Sequence, residues 1–245
     1  MIGTVRRRTD LRNARSASCG IVNSLLAALP RKSYQRLRSG LAAVDLAFGE
    51  VLHEAGEPIR NVYFPSRSLV SLLTLVEGHL PLEVGLVGRE GMVGIPLALD
   101  VGVSPVRALV QGAGPALKMS AARFRAELKA SPPLQREVYR YVHAMIAQIS
   151  QTAGCNRFHL VEARLARWLL MTRDRVRSRQ FRMTQEFLSH MLGVRRVGVT
   201  KAASALQRRK LIEYSRGNIS ILDDRGLEAA CCSCYRVVKD MHDPA

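Results

Sequence analysis

Residues 183–202 read MTQEFLSHMLGVRRVGVTKA, and the reading of this stretch decides the reading of the chain. Phe187, Leu188, Met191 and Leu192 fall on one side of a first helix. Thr184 followed by Glu186 suits its start, because a hydroxyl can cap free backbone amides and an acid complements the helix dipole. Gly193 sits where a sharp turn between two helices often requires glycine. Val194, Val199 and Ala202 supply the inner side of a second helix, which leaves Arg195, Arg196 and Lys201 pointing outward. An exposed helix start carrying arginines suits entry into a major groove, since a guanidinium can bind a guanine edge with two hydrogen bonds. An ordinary helical hairpin with solvated arginines would give a similar pattern, because such windows are degenerate.

The charge of the chain separates these readings. Its 245 residues include 37 Lys and Arg against 20 Asp and Glu, a formal net charge of +17. Such a balance points to a polyanionic partner, either nucleic acid or an anionic membrane face. The excess is unevenly placed. Residues 157–225 hold 16 basic and 6 acidic residues, whereas residues 50–100 hold 3 basic and 7 acidic ones. The second half is therefore assigned the polyanion contact. No stretch approaches the ~20 apolar residues that span a bilayer. The start, MIGTVRRRTDLRNARSAS, is basic but lacks the apolar run of a secretory signal, so residues 1–20 read as a flexible basic arm. Five cysteines without a secretion signal argue against a disulfide framework and for a reducing cytoplasm.

Around the opening stretch the chain divides into segments. Leu25, Leu26, Leu29, Leu37, Leu41 and Val44 fall at helical spacing, with Pro30 opening a second short helix. From Phe48 onward, short Val- and Leu-rich runs are broken by Gly and Pro every eight to twelve residues or so, the signature of a small antiparallel barrel or sandwich. RALVQGAGPALKMS reads as two strands around a turn and ARFRAELKAS as a helix. Pro132 and Pro133 suit the first turn of a long helix running to about Cys155. Its apolar stripe, Leu134, Val138, Tyr141, Met145 and Ile149, reads as a two-stranded dimer seam, the alternative being a cover for the barrel. HLVEARLARWLLMTRDRV is a further amphipathic helix in which Trp168 anchors the hinge between domains. Tyr214 to Leu222 reads as a hairpin with Gly217-Asn218 at its tip, which makes the whole a winged helix-turn-helix.

The order of these parts resembles the Crp/Fnr transcription regulators, from about Asn23 to Leu222. MTQEFLSHMLGVRRVGVTKAASALQRRKLI is similar to the family pattern of first helix, glycine, recognition helix, linker helix and Leu-Ile. The resemblance implies an α+β chain: an N-terminal antiparallel β-barrel of the cyclic-nucleotide-binding-like jelly-roll kind (21–131), a long dimerisation helix (132–158), a winged helix-turn-helix domain (159–230) and a C-terminal tail (231–245). It implies a homodimer on a roughly palindromic site of double-stranded DNA, with RNA polymerase as a further partner. By that match Arg196 and Lys201 fall on positions that contact bases or nearby phosphates, with base contact the expected role, and Val197 stands where many members carry a glutamate that reads cytosine. Arg182, Thr184, Arg195, Arg208, Arg209, Lys210 and Arg216 are the expected phosphate contacts.

The barrel departs from nucleotide-binding members, in which a Gly-Glu and a later Arg hold the ribose and the cyclic phosphate. Here Gly94 is followed by Ile95 and Pro96, and the nearby cation is Arg107, followed by Ala108. The usual mode of cyclic AMP binding is therefore not expected. Gly88, Arg89, Gly94 and Arg107 are the candidate effector-pocket residues, for an effector the sequence does not identify. An alternative reading is a redox- or ligand-sensing protein with only non-specific DNA affinity that acts through a protein partner. Cys231, Cys232 and Cys234 include one C-x-x-C pair, where a zinc site would want two. The six histidines show no H-x-x-x-H or H-E-x-x-H spacing. No nucleotide-hydrolase loop, nucleophile elbow or carboxylate pair is legible. Neither an enzyme nor a bound metal or cofactor is expected.

Overall fold

The computed structural model describes residues 23–242. The basic arm at 1–20, with Cys19, lies outside the described residues. Two short helices open the described chain, α1 (Ser24–Ala27) and α2 (Arg31–Arg38), and Pro30 stands immediately before the second. The helical reading of Leu41 and Val44 is corrected here. α2 ends before Ser39-Gly40, and Val44 belongs to strand β1 (Ala42–Leu46). Three-residue spacing fits a helix by accident, while the Gly and the two-residue step from Val44 to Leu46 carry the true period.

Strands β2 (Val51–His53), β3 (Asn61–Pro65), β4 (Leu69–Thr74), β5 (Leu82–Val87), β6 (Arg107–Gly112) and β7 (Gly114–Ser120) follow. They form two antiparallel sheets, ordered β1-β7-β3 and β2-β6-β4-β5. Their inner faces contribute Val62, Phe64, Val70, Leu72, Val87, Val110 and Met119 to one core. Helix α3 (Ala121–Ala130) starts at Ser120, whose hydroxyl accepts from the Arg123 amide. Helix α4 (Pro132–Phe158) follows with Ser131 as its cap and prolines in its first turn, where no intrahelical bond is lost. Its 27 residues rise about 40 Å.

The stripe read as a dimer seam faces inward. Leu134, Val138, Tyr141 and Met145 are buried in the jelly-roll core, and Ile149 is partly buried against it. Apolar residues at this spacing suit either neighbour. The barrel takes them because its open face would otherwise stay wet, and burial of a large apolar side chain contributes about 1.5–3 kcal/mol.

The remaining elements are α5 (Val161–Val176), β8 (Gln180–Arg182), α6 (Gln185–Leu192), α7 (Arg196–Arg208), β9 (Ile212–Ser215), β10 (Asn218–Ile221), α8 (Asp224–Ala230) and α9 (Cys234–His242). Leu165, Trp168, Leu169, Leu188, Met191, Leu192, Val199, Leu206 and Ile219 form a second core. It reaches Leu69, Leu73 and Leu86 of the first domain, so the two cores touch through α5. Two expectations are corrected. No separate linker helix follows the recognition helix, because α7 runs unbroken to Arg208. The segment after 230 is structured to His242, and α9 packs along α4, where Gln151 donates to the Cys234 sulfur at 3.0 Å.

Candidate nucleic-acid interface

The helix-turn-helix forms for reasons written in its residues. Thr184 Oγ1 accepts from the Phe187 amide at 3.1 Å and caps α6. Gly193 ends that helix with φ 58° and ψ 41°, a left-handed conformation that side-chain-bearing residues rarely adopt. Val199, Ala202, Ala203 and Leu206 are buried along one side of α7. Arg196, Val197, Thr200 and Lys201 are exposed along the other, about two to three residues away on the helical wheel, as a period of 3.6 requires. Arg195 occupies the N-cap and is exposed, at the helix end whose free backbone amides favour anions.

The wing is built one residue earlier than the sequence suggested. Its tip is Arg216-Gly217, both at positive φ (48° and 80°), the backbone of a tight two-residue hairpin turn. β8 adds a third strand, in the order β8-β10-β9, and sets Arg182 opposite Asn218 beside that tip. Thr184, Gln185, Arg196, Tyr214, Arg216 and Gly217 line one cleft of about 330 Å³ between the start of α6, the start of α7 and the wing. Tyr214 donates to the Met183 carbonyl at 2.9 Å. Burial pushes its phenol above the ordinary value against the opposing pull of Arg196, so the hydroxyl stays protonated. Two guanidiniums flanking a polar cleft beside a helix N-terminus can seat a duplex, one holding a phosphate while the other reaches a base edge.

The structure does not bring Arg208, Arg209 and Lys210 to this cleft. They cluster at the other end of α7, about 18 Å along the axis, and Arg209 is paired with Glu162 at 2.9 Å.

The four residues proposed for an effector pocket are also dispersed. Arg107 is paired with Glu54 at 2.8 Å, so its charge is already matched. Gly88 and Arg89 belong to a contact between domains rather than to a pocket of the barrel. In their loop Glu90 reaches Arg175 of α5 at 2.8 Å, and a Cβ on Gly91 would stand 1.9 Å from the Tyr141 ring of α4. Gly88 and Gly91 thus serve close packing against two helices, Gly88 against the Arg175 side chain of α5 and Gly91 against Tyr141 of α4. Only Gly94 borders the jelly-roll cavity, a space of about 570 Å³ walled by Leu72, Val84, Met92, Ile95, Val106 and Met145 among others. Among the described residues no Lys, Arg, Asp or Glu lines it, and the ionisable group there is His53. Burial lowers the pKa of that imidazole against the opposing effect of its bond to the Asn61 carbonyl, which keeps the cavity uncharged near neutral pH.

Trp168 joins the domains as expected, donating from Nε1 to Glu83 of β5 at 3.0 Å. Sequence reasoning missed a group that the fold collects at the end of α4: Cys155, His159, Cys232 and Cys234. The legible signal was Cys155-x-x-x-His159, one helical turn apart, together with Cys232-x-Cys234; a search restricted to C-x-x-C and H-x-x-x-H spacing passes over both.

A jelly roll, a long helix and a winged helix-turn-helix, joined in that order, define the fold. Residues 163–230 match the Crp-like helix-turn-helix domain. The whole fold is similar to a chain described as a Crp/Fnr family transcriptional regulator from Eubacterium rectale (TM-score 0.64, 16% identity, covering 84% of this chain and 97% of that one). It is similar to FixK2 from Bradyrhizobium japonicum (TM-score 0.65, 12% identity, 79% and 98% covered). It also resembles CLP, described as a c-di-GMP responsive global regulator in Xanthomonas campestris (TM-score 0.65, 15% identity, 79% and 100% covered). No curated protein sequence gives a significant match. The chain therefore has the Crp/Fnr fold, and its C-terminal domain is a Crp-like helix-turn-helix domain. No described helix is long and apolar enough to cross a membrane.

Proposed function

We propose that this chain is a cytoplasmic, non-enzymatic transcription regulator that binds a roughly palindromic DNA site as a homodimer and acts through RNA polymerase. The observation that carries the reading is the cleft in which Arg196 at the start of the recognition helix meets Arg216 of the wing. Arg196, Val197 and Lys201 face the bases in this reading, while Arg182, Thr184, Arg195 and Arg216 hold phosphates. Arg208, Arg209 and Lys210 lie too far along the helix to share that contact.

Dimerisation falls to the face of α4 turned away from the jelly roll. Arg136, Tyr139, His143, Ile146, Ser150, Ala153 and Arg157 are all exposed, at alternating three- and four-residue steps. That is the heptad spacing of a helix seam, and Tyr139 and Ile146, at 48% and 56% exposure, are the large apolar groups it would cover. The stripe is offset from the one expected from sequence, which the barrel already occupies.

Selection of oligonucleotides from a random pool by the purified protein tests the reading, and enrichment of an inverted repeat is expected. Half-sites one helical turn apart would match two-fold symmetry. Arg196→Ala should weaken binding to the selected site by roughly 1–3 kcal/mol and relax its sequence preference. Enrichment of no sequence, or an Arg196→Ala protein that binds selected and random DNA as the parent does, refutes the assignment and favours action through a protein partner.

The cavity in the jelly roll suits an uncharged, largely apolar effector. A cyclic phosphate buried there would face no Lys or Arg among the described residues, and an unpaired buried charge is strongly disfavoured. Excess cyclic AMP is therefore expected to leave both the melting temperature and the affinity for DNA unchanged. A concentration-dependent rise in melting temperature, the mass-action signature of a ligand on the folded state, would contradict this.

A further inference from the structure

The cysteine group at the end of α4 stands outside everything used so far. Cys155 lies in the last turn of α4, and His159 is the residue that ends it, leaving the helix with φ −107° and ψ 147°. Four residues apart, they share a helix face. Cys232 and Cys234 come from the turn that opens α9. The Cys155, Cys232 and Cys234 sulfurs and a His159 ring nitrogen all lie within 4.8 Å of one another. Cys155 and Cys232 are 3.5 Å apart, as are Cys234 and His159 Nδ1. Around an ion with bonds of about 2.3 Å to sulfur and 2.0–2.1 Å to nitrogen, tetrahedral geometry places ligand atoms roughly 3.5–3.8 Å apart. The four atoms are therefore already close to the corners of one coordination shell. Cys231, next in sequence, turns away and donates to the Glu228 carbonyl.

A second observation concerns charge. Arg164 and Arg167 are buried, at 6% and 5% exposure, and both lie within electrostatic reach of the sulfurs. Among the described residues neither forms a carboxylate ion pair. Buried guanidiniums need nearby negative charge. Three thiolates and a neutral imidazole around a divalent ion carry a net charge of −1 and would supply it. Gln151 already points an N–H at Cys234, a contact that steadies a ligating sulfur.

We propose that Cys155, His159, Cys232 and Cys234 bind one zinc ion, a closed structural centre that fixes α9 to the end of α4 where the chain turns into α5 and the DNA-binding domain. Closure by four protein ligands leaves no open position for catalysis. The compact spacing selects a single ion over an iron–sulfur cluster, whose bridging sulfides would hold the four ligands further apart. The ion replaces the protons of the three thiols, so binding weakens in acid. Because His159 is also the break between the long helix and α5, the centre would hold that joint in one geometry.

The test is metal analysis of the full chain, purified under reducing conditions without chelator. About one zinc per chain is expected. Exchange with cobalt(II) should give the intense visible bands of a tetrahedral site together with thiolate-to-cobalt charge transfer. Cys155→Ser and Cys234→Ser should lose the metal, and Cys231→Ser should keep it. Should the first two fail to fold, the wild-type cobalt spectrum and a chelator-induced fall in melting temperature, reversed by added zinc, carry the same decision. Zinc well below stoichiometry with no tetrahedral cobalt spectrum overturns the proposal. So does iron with inorganic sulfide, or a Cys231→Ser protein that loses metal as fully as Cys234→Ser.

Discussion

Replacing Arg175 with methionine is expected to destabilise the fold by about 3–5 kcal/mol at neutral pH, the cost of leaving one member of a buried pair alone. Arg175 lies on α5 and touches three separate parts of the chain. Its Nε donates to Glu90 of the β5 loop at 2.8 Å, its second nitrogen to the Gln148 side chain of α4 at 2.7 Å, and its third to the Met171 carbonyl at 3.2 Å. The side chains of Arg175 and Glu90 are only 7% and 12% exposed. Burial is the largest influence and raises the Glu90 pKa, but Arg175, His242 and the backbone amides of Gly88 and Glu90 together outweigh it, and the carboxyl titrates below its ordinary value. Methionine fills a similar volume, so the loss reports on charge and hydrogen bonds rather than on a cavity. Denaturant unfolding of Arg175→Met should recover part of the loss at acid pH, where Glu90 becomes neutral. The double variant Arg175→Met with Glu90→Gln should cost less than the sum of the two singles, because the groups share one interaction. A single-variant cost below about 1 kcal/mol would place the pair among weak surface contacts and remove it as the link between domains.

The same ion pair shows where the sequence was legible and where it was not. Local chemistry survived translation into structure: Thr184 caps α6, Gly193 turns left-handed, and two prolines open α4. Each of those outcomes is decided within one or two helical turns. Three-dimensional neighbours were not legible. Leu134, Val138, Tyr141 and Met145 form a clean apolar stripe, but a stripe does not say what covers it, and the barrel does. Gly88 and Arg89 suit an effector pocket by sequence, but what their loop approaches is the Tyr141 ring and the Arg175 side chain. Arg107 looked available for an anion because Glu54, 53 positions earlier, is its partner only in the fold. Cys155 and Cys232 meet across 77 positions, a separation no motif spacing encodes.

Glu83 is expected to make stability fall as pH rises from acid to neutral, against the usual behaviour of a paired carboxylate. It is buried on β5 between Ser71 and Trp168, whose Nε1 donates to it at 3.0 Å. Burial pushes its pKa up from 4.5 to about 7; Ser71, Arg167 and Trp168 oppose the rise without cancelling it. The hydrogen bonds around it accommodate both states. Ser71 has one hydroxyl hydrogen and two neighbours, Glu83 and Gln111. A protonated Glu83 can donate to Ser71 while Ser71 donates to the Gln111 carbonyl. An ionised Glu83 accepts from Ser71, and the Gln111 amide then turns to donate in its place. Since the folded-state pKa lies above the unfolded one, the folded chain binds the extra proton. The added stability is complete below about pH 4.5, declines through the window up to 7, and is gone above it. Between pH 5 and pH 8 the change amounts to about 2–3 kcal/mol, because each pH step of one between the unfolded and folded pKa values is worth about 1.36 kcal/mol. Glu83→Gln copies the protonated state, with its amide donating to Ser71 and its carbonyl accepting from Trp168. The stability difference between wild type and Glu83→Gln, read by denaturant unfolding at both pH values, should therefore change by that amount and isolate Glu83 from every other titrating group. A difference that stays level across the window would mean that Glu83 is ionised throughout, held by Arg167 and Arg175. The joint between β5 and α5 would then be an ion cluster rather than a neutral hydrogen-bond network.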